Sequence, residues 1–379
     1  MSNDYDWFGG DPGVKADLGP TVTTEDPGPL LPALGHEIPV YRTDRVSRAT
    51  WLKRRTGTIG ASQIAAIMQR HPYSSPIQAW AQITGRRRQD TDDEDELFRM
   101  ELGTVCEPQI RQVAADALEV PLLSPGVTST RYMTAWPQVL RHPRLSMFTC
   151  NLDAVLFDGE RRMPVECKWT NWRNRDAWHE LRETRDAQSA IGTSVFAYVL
   201  QVQAQLSITG LSRGILIGII GEDAANRLLV NALTKRVGID AFDPKDRDVV
   251  IVYIDRDEGM IDAIERVVPR FHAKFIAGGD IPPVTDRRDL EALRQAYRES
   301  HPRVLIDRPD LEPLCERYLA LGAKLSHGES LRDDTKARIM HAITSAGISE
   351  CSAGRHKITY NLNKGGKRTL RITGPKGEA

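Results

Sequence analysis

The stretch from Cys150 to Lys168 constrains this chain more than any other. It reads Cys150-Asn151-Leu152-Asp153, then Ala154-Val155-Leu156-Phe157, then Asp158-Gly159-Glu160-Arg161-Arg162, then Met163-Pro164-Val165-Glu166-Cys167-Lys168. Asp-Gly beside apolar runs is a strong short-range hairpin signal. A turn centred there pairs positions whose numbers sum to roughly 317, which sets Asp153 near Pro164 and diagonal to Glu166. Glu166 and Lys168 are two apart and share a strand face, while Cys167 points the other way. Two carboxylates and a lysine thus converge at the open end of the hairpin. A hard cation such as Mg²⁺ takes oxygen ligands of this kind and keeps several waters. The lysine could orient a nucleophilic water or steady a charged transition state. The same spacing also arises by chance, and Glu-x-Lys on a strand is commonly a solvated face.

Composition narrows the class. With 379 residues, 27% charged and 40% hydrophobic, the chain has the balance of a soluble globular protein with one large core or two modest ones. No apolar run approaches the ~18 residues of a membrane span. The N-terminus lacks an apolar signal core, so a cytoplasmic location and no membrane partner are expected. Five cysteines, at 106, 150, 167, 315 and 351, are scattered with no C-x-x-C pair. That fits a reducing compartment and argues against a disulfide framework and against zinc or iron–sulfur sites. The nine histidines form no H-x-H or H-E-x-x-H group. The formal net charge is zero, yet residues 1–45 carry eight acidic and three basic residues, leaving +5 on the remainder. A DNA channel needs local basic lining more than global basicity. Arg86-Arg87-Arg88, Arg54-Arg55 and Arg173 with Arg175 are candidate linings, each equally readable as a solvated run.

Along the chain, residues 1–45 are rich in Pro, Gly, Asp and Thr without periodicity, and are expected to form a mobile tail. Helical segments follow at 62–68 and 76–84, then a basic-to-acidic exposed loop at 86–96. Leu97, Val105, Ile110, Val113, Ala114 and Leu118 give 97–118 a helical period. Strands are expected within 145–170, at 213–220 and at 249–254, with helices over 188–209 and 257–277. After Pro282-Pro283 the pattern changes to charged helices over 286–346 and a hairpin over 356–373 around Gly365-Gly366. Three parts are expected: a tail (1–45), a catalytic domain (46–282) and a helical region ending in a β-hairpin (283–379).

Four stretches carry a resemblance. The first is Arg55-Thr56-Gly57-Thr58-Ile59-Gly60-Ala61-Ser62, with His71-Pro72-Tyr73 after it. The second is Gly103-Thr104-Val105-Cys106-Glu107-Pro108. The third is Asp153 with Glu166-Cys167-Lys168, and the fourth is Tyr198-Val199-Leu200-Gln201-Val202-Gln203. In this order they resemble the YqaJ-like viral recombinase family, relatives of bacteriophage lambda exonuclease, over roughly residues 46–225. The C-terminal helices and the 357–372 stretch also look like phage members. The resemblance implies an α/β (α+β) fold, a PD-(D/E)XK nuclease core with a central mixed sheet flanked by helices, plus the C-terminal extension. It implies a metal-dependent 5′→3′ exonuclease that digests one strand of double-stranded DNA from its ends, leaving 3′ tails for annealing-type phage recombination. Mg²⁺, or Mn²⁺, is the implied cofactor. DNA ends, a single-strand annealing protein and a homo-oligomeric ring of three subunits are the implied partners. An endonuclease or RecB-like nuclease of the same superfamily is the alternative; the intact Asp, Glu and Lys disfavour a non-catalytic DNA-end binder.

Residue by residue, Asp153, Glu166, Glu107 and the Cys167 backbone carbonyl are expected to hold the metal. Lys168 and Gln201 complete the catalytic set, and the Cys167 thiol is expected to be buried and idle. Ser62 follows a Gly-Ala turn and opens a helix, where free N–H groups attract an anion. Arg55 offers a bidentate phosphate contact. The resemblance implies that the two hold a 5′-phosphate; the plain alternative is an N-cap serine and a surface arginine. Alone, Glu107 reads as a helix-surface glutamate. Gln201 lies on an otherwise apolar helix, and a buried amide needs a partner, so it is expected to bond the lysine or DNA. Gln203 and Gln205 are expected to face solvent or neighbouring helices. Position 63 is Gln where the family has an acidic residue. The arginine-rich 171–194 stretch, with Trp178, is expected to be a DNA-facing loop or a subunit contact.

Overall fold

The computed structural model describes residues 38–42, 47–86, 94–123, 130–136, 138–170, 172–221, 248–285, 287–297, 309–346, 349–362 and 368–373. They fall into two units, Met1–Ser300 and His301–Ala379. The first unit is built on two sheets. Strands β1 (Ile38–Arg42), β5 (Gln138–Arg141), β6 (Phe148–Asn151) and β2 (Ile59–Gly60) form one, in that order. The larger sheet runs β10 (Val249–Asp255), β9 (Arg213–Ile220), β8 (Arg162–Thr170), β7 (Ala154–Phe157), β4 (Tyr132–Ala135), β3 (Leu122–Leu123). β7 and β8 are antiparallel, whereas β8 and β9 are parallel and joined by a helical crossover.

Alternation along β8 and β9 sorts the core into two layers. Met163, Val165, Cys167, Ile215, Ile217 and Ile219 pack with Cys106, Ile110, Val113 and Ala114 of helix α4 (Glu94–Ala117). Leu216 and Ile220 belong to the opposite cluster, with Val195, Val199, Val202 and Leu206 of α6 (Ser194–Thr209). A nine-residue strand with period-two alternation and a 16-residue helix with almost every residue buried produce this sandwich. Glu166 and Lys168 therefore belong to the α6 side by pleat parity alone. Helices α1 (Arg48–Arg55), α2 (Ile64–Ile67), α3 (Pro76–Ile83), α5 (Arg175–Thr184), α7 (Glu258–Phe271) and α8 (Asp289–Ala296) complete the unit. The second unit holds α9 (Glu312–Ser345) and the three-stranded antiparallel sheet β11 (Glu350–Ala353), β12 (His356–Leu362), β13 (Arg368–Thr373).

Most of the expected elements are present, with instructive shifts. The β7–β8 register is Ala154↔Val165 to Phe157↔Arg162, a sum of 319. The connection is four residues long because the Asp158 side chain organises it: Oδ1 accepts from Glu160 N at 2.9 Å and Arg161 N at 2.7 Å. Gly159, at φ +105°, supplies the one backbone conformation that other residues resist. The two-residue turn expected from Asp-Gly is thus replaced, and Asp153 lies beyond the last pair, beside Glu166–Cys167 rather than Pro164. Residues 38–42 of the expected tail pair with β5; residues 1–37 and 43–46 lie outside the described residues. Glu94, Asp95 and Glu96, expected in a loop, begin α4.

The helix expected over 188–209 starts only at Ser194, because Gly192 takes φ +85° and the Thr193 hydroxyl caps the Val195 N–H. Helix α8, past the expected boundary at 282/283, falls in the first unit. Asp289 of α8 is fully buried and accepts from the Ser75 hydroxyl and from Thr285 N at 2.7 Å, tying α8 into the first unit. Gly365-Gly366 lies outside the described residues, though β12 and β13 pair on either side of it, and β11 adds a strand not foreseen.

Trp178 is the clearest departure within 171–194. It is fully buried, so it is core rather than a DNA-facing or subunit-contacting residue. Its ring lies over Gly218 of β9 and 6.0 Å from the Tyr198 ring. A Cβ on Gly218 would stand 2.8 Å from three ring carbons of Trp178. Gly218→Ala should therefore cost about 1–3 kcal/mol, the usual penalty of overpacking a filled core. Chemical denaturation of the two proteins checks this, and Gly210→Asn, at an exposed helix end already in the left-handed region, should cost less.

Candidate active site

The site forms where β7 and β8 part. Leu152 and Ala154 are buried on either side of Asp153, which is itself half-buried at the end of β7. Its Oδ2 accepts from Cys167 N at 2.7 Å, so the carboxylate is clamped to the strand that carries Glu166 and Lys168. Glu166 is only 2% exposed. A carboxylate so deep must be compensated or it neutralises. Three donors compensate it: Lys168 Nζ and Gln201 Nε2 (2.6 Å) on Oε1, and Gln205 Nε2 (2.6 Å) on Oε2. Lys168 Nζ also stands 5.3 Å from the centre of the Tyr198 ring.

Glu107 reaches the same place from α4, on the other side of the sheet. Its Oε1 accepts from Arg111 Nη1 at 2.6 Å, and that nitrogen also reaches the Asp153 carbonyl at 3.2 Å. Arg111 is thus the link between α4 and the end of β7. The i,i+4 spacing of Glu107 and Arg111 is a helix pairing visible in the sequence, but nothing in it pointed to Asp153.

The electrostatics follow from this crowding. Burial pushes the Asp153 carboxyl well above its ordinary range; Glu166 and Glu107 add to the rise, against Lys168 and the Cys167 N–H. Burial also raises Glu107, with Arg111 opposing and Glu166 adding. Lys168 goes the other way from a typical buried lysine. Burial favours its neutral form, but Glu166 and Asp153 outweigh that, and its pKa is raised. The ammonium therefore stays charged at neutral pH and can donate but not act as a base. Burial, then Asp153, lifts the Cys167 thiol well above its usual value, which leaves it un-ionised and chemically quiet on the α4 face, as expected.

The other glutamines divide sharply. Gln201 bonds Glu166 rather than the lysine. Gln203 uses both ends of its amide on the chain leading into α7, Nε2 to Asp255 O at 2.7 Å and Oε1 from Asp257 N at 3.0 Å. Gln205, expected at solvent or a helix contact, is fully buried and reaches Glu166. Its spacing of four from Gln201 places both amides on one helix face, a signal that could have found it.

Arg55 and Ser62 sit in a second cluster. Arg55 ends α1, with its guanidinium 4.6 Å from the Trp51 ring centre and a nitrogen against Gly60, where an added Cβ would stand 2.7 Å away. Ser62 does not cap a helix. It lies, exposed, within a 3₁₀ turn, Ala61–Gln63, whose first amide, Gly60 N, is taken by Gln63 Oε1 at 2.8 Å. Gln63 thus has a local backbone role in place of an acidic one.

Chemically, the donor set at Asp153, Glu166, Glu107 and the Cys167 carbonyl is hard oxygen with more negative charge than Lys168 and Arg111 cancel, which fits a divalent cation. Among the described residues, no three Asp, Glu, His or Cys side chains already form a cage. Glu166 is instead occupied by its own nitrogen donors.

The order helix, antiparallel strands, helix, parallel strand, with carboxylates and a lysine where β7 and β8 part, is that of the PD-(D/E)XK nuclease core. Residues 50–212 match the model of the YqaJ-like viral recombinase domain. It is 22% identical over 309 residues to the uncharacterized protein YqaJ of Bacillus subtilis (strain 168), covering 80% of this chain and 81% of that one. An alkaline exonuclease (LHK-Exo) from Laribacter hongkongensis is 20% identical with TM-score 0.38, covering 66% of this chain and 98% of its own. A phage related exonuclease from Haemophilus somnus 129PT is 14% identical with TM-score 0.32, covering 59% and 96%. Likenesses this distant carry no function by themselves.

The raised Asp153 has a measurable consequence for stability. A carboxyl whose folded pKa exceeds its unfolded value holds its proton more tightly when folded, so stability is lost as pH rises through that interval. Asp153→Asn keeps an oxygen for Cys167 N and removes the charge. Without added metal it should melt a few degrees above the unmutated protein at pH 8, with the gain shrinking toward pH 4. Calorimetric melting at both pH values checks it; an Asn variant that is less stable at pH 8 contradicts the assignment.

Proposed function

We propose that the first unit is a metal-dependent exonuclease that degrades one strand of double-stranded DNA 5′→3′ from its ends. The tails it leaves would be 3′ single strands, suited to annealing-type recombination with a single-strand annealing protein. The observation that carries this reading is the convergence of Asp153, Glu166 and Lys168 at one strand end in a chain that matches the viral recombinase domain over residues 50–212. Asp153, Glu166 and the Cys167 carbonyl would hold Mg²⁺ or Mn²⁺, with Glu107 on the outer side. The bound cation would supply Lewis acidity toward the phosphoryl oxygens and favour ionisation of water.

The chain's own residues do the rest. Lys168, kept cationic by Glu166 and Asp153, orients the attacking water by donating to it and offsets charge that develops on phosphorus oxygens. Gln201 holds the Glu166 oxygen that Lys168 shares. Arg55 and Ser62, at the 55–62 turn, capture the 5′-phosphate, with Arg55 braced on Trp51. Each cut exposes a new 5′-phosphate for that pair, which favours repeated cutting of one strand. A subunit ring around the duplex is part of the same proposal. Among the described residues, no helix is long and apolar enough to cross a membrane.

Digestion of end-labelled linear DNA, with and without a 5′-phosphate, tests the whole reading. Mononucleotides should be released from 5′-phosphorylated ends in the presence of Mg²⁺, with covalently closed DNA resistant. Tails of 5′ polarity, or equal cutting of closed circles, would overturn it. Lys168→Ala should lower the rate ~10²–10³-fold, the scale of losing one preorganised charge, and Glu166→Ala should abolish hydrolysis with DNA binding kept. Arg55→Ala should erase most of the difference between 5′-phosphate and 5′-hydroxyl ends, read from single-turnover rates on the two substrates.

A further inference from the structure

Gln205, a site contact that the sequence reading did not single out, carries an internal contradiction. The side chain is 0% exposed. Its Nε2 donates to Glu166 Oε2 at 2.6 Å and to the Asn151 carbonyl at 3.3 Å. Its Oε1 is buried and finds no donor among the described residues. A buried acceptor left unpaired costs about 1–3 kcal/mol. Turning the amide over does not help, because it would set Oε1 against two acceptors, Glu166 Oε2 and Asn151 O. A methionine of the same length would fill the space with no such cost. A glutamine here is therefore a poor choice for packing and a good one only for its N–H. Gln203, two residues away, shows the contrast: both ends of its amide are satisfied, and its partners are backbone atoms remote from the carboxylates.

The bond Gln205 makes also divides the two oxygens of Glu166. Oε1 is shared by Lys168 and Gln201. Oε2 accepts from Gln205 Nε2, and that donor is anchored in turn to β6 through the Asn151 carbonyl. Holding one oxygen from inside the core fixes the plane of the carboxylate and the direction in which its other oxygen is offered. Partners of this kind, one bond behind a ligand, typically change cation affinity 10–100-fold when removed.

We propose that Gln205 is a positioning residue for Glu166: it fixes the carboxylate from the α6 side so that the opposite oxygen is presented for a divalent cation. The inference rests on the reading of Glu166 as a metal-holding carboxylate. It adds a requirement that the reading itself does not contain, that the cation affinity is set by an amide that touches neither cation nor DNA.

The test uses the full chain without DNA and measures Mn²⁺ binding by titration calorimetry. Gln205→Met, equal in length and without a donor, should weaken Mn²⁺ binding 10–100-fold. Gln205→His, which places a ring N–H at a comparable reach, should recover most of that loss. Gln203→Leu, which breaks the chain clamp at Asp255 and Asp257, should lower the melting temperature and leave Mn²⁺ binding within about threefold, less than the 10–100-fold scale of a ligand-supporting bond. Should Gln205→Met not fold, Gln205→Asn withdraws the amide by one methylene and carries the same expectation. Mn²⁺ binding by the Met or Asn variant within threefold of the unmutated protein overturns the inference. So does an equal loss in the Met and His variants, which would show packing alone. Failure of the underlying reading looks different: the unmutated protein would bind no Mn²⁺, or Glu166→Ala would bind it as well.

Discussion

A buried carboxylate with three nitrogen donors is the interaction on which this architecture depends. An uncompensated ion at the depth of Glu166 would cost several kcal/mol. Hydrogen bonds to a charged group contribute about 1.5–3 kcal/mol each. Lys168, Gln201 and Gln205 together are thus of the size needed to offset the burial of Glu166. They come from two elements, the strand that bears Glu166 and the helix that crosses over it. Fixing the carboxylate therefore fixes α6 against β8. The same helix makes the crossover between β8 and its parallel neighbour β9.

Around this pair the structure invests in opposed charges. Asp153 and Glu107 are both pushed toward their neutral forms, first by burial and then by Glu166. Lys168 is driven the other way by the same carboxylates. Such an arrangement is a poor way to stabilise a fold; under the proposed function, a bound cation would offset the crowded carboxylates. The supporting layer is apolar and tightly fitted. Trp178 fills the space over Gly218, backs Tyr198, and Tyr198 backs the lysine. A residue expected at the DNA surface turns out to be the packing that keeps the lysine in place.

The site was legible in the sequence to the extent that it depends on local periodicity. Glu166 and Lys168 share a face because they are two apart on a strand, and Cys167 is buried on the other face for the same reason. Gln201 was singled out because it fills the first glutamine of the family pattern on an otherwise apolar helix, with the lysine or DNA as expected partners; it bonds Glu166. Arg111 and Gln205 were not found. Each is ordinary on its own element, and only the approach of α4 and α6 to the end of β7 gives it a role. The hairpin register was missed for a different reason: Asp158 folds its carboxylate over the turn and lengthens it by two residues, a choice between side-chain and backbone hydrogen bonds that the Asp-Gly pair leaves open.

By itself, then, the sequence determined the element types, the faces that carry charge, and the match of residues 50–212 to a recombinase domain. Those depend on spacing along one strand or one helix, where neighbours in space are neighbours in the chain. The tertiary structure alone decided where the first unit ends, because the buried Asp289 finds Ser75 across more than two hundred residues. It alone decided that Asp153 meets Cys167 N instead of Pro164. These are contacts between distant segments, set by which buried polar group can reach a donor once the sheet and its two helical layers have closed.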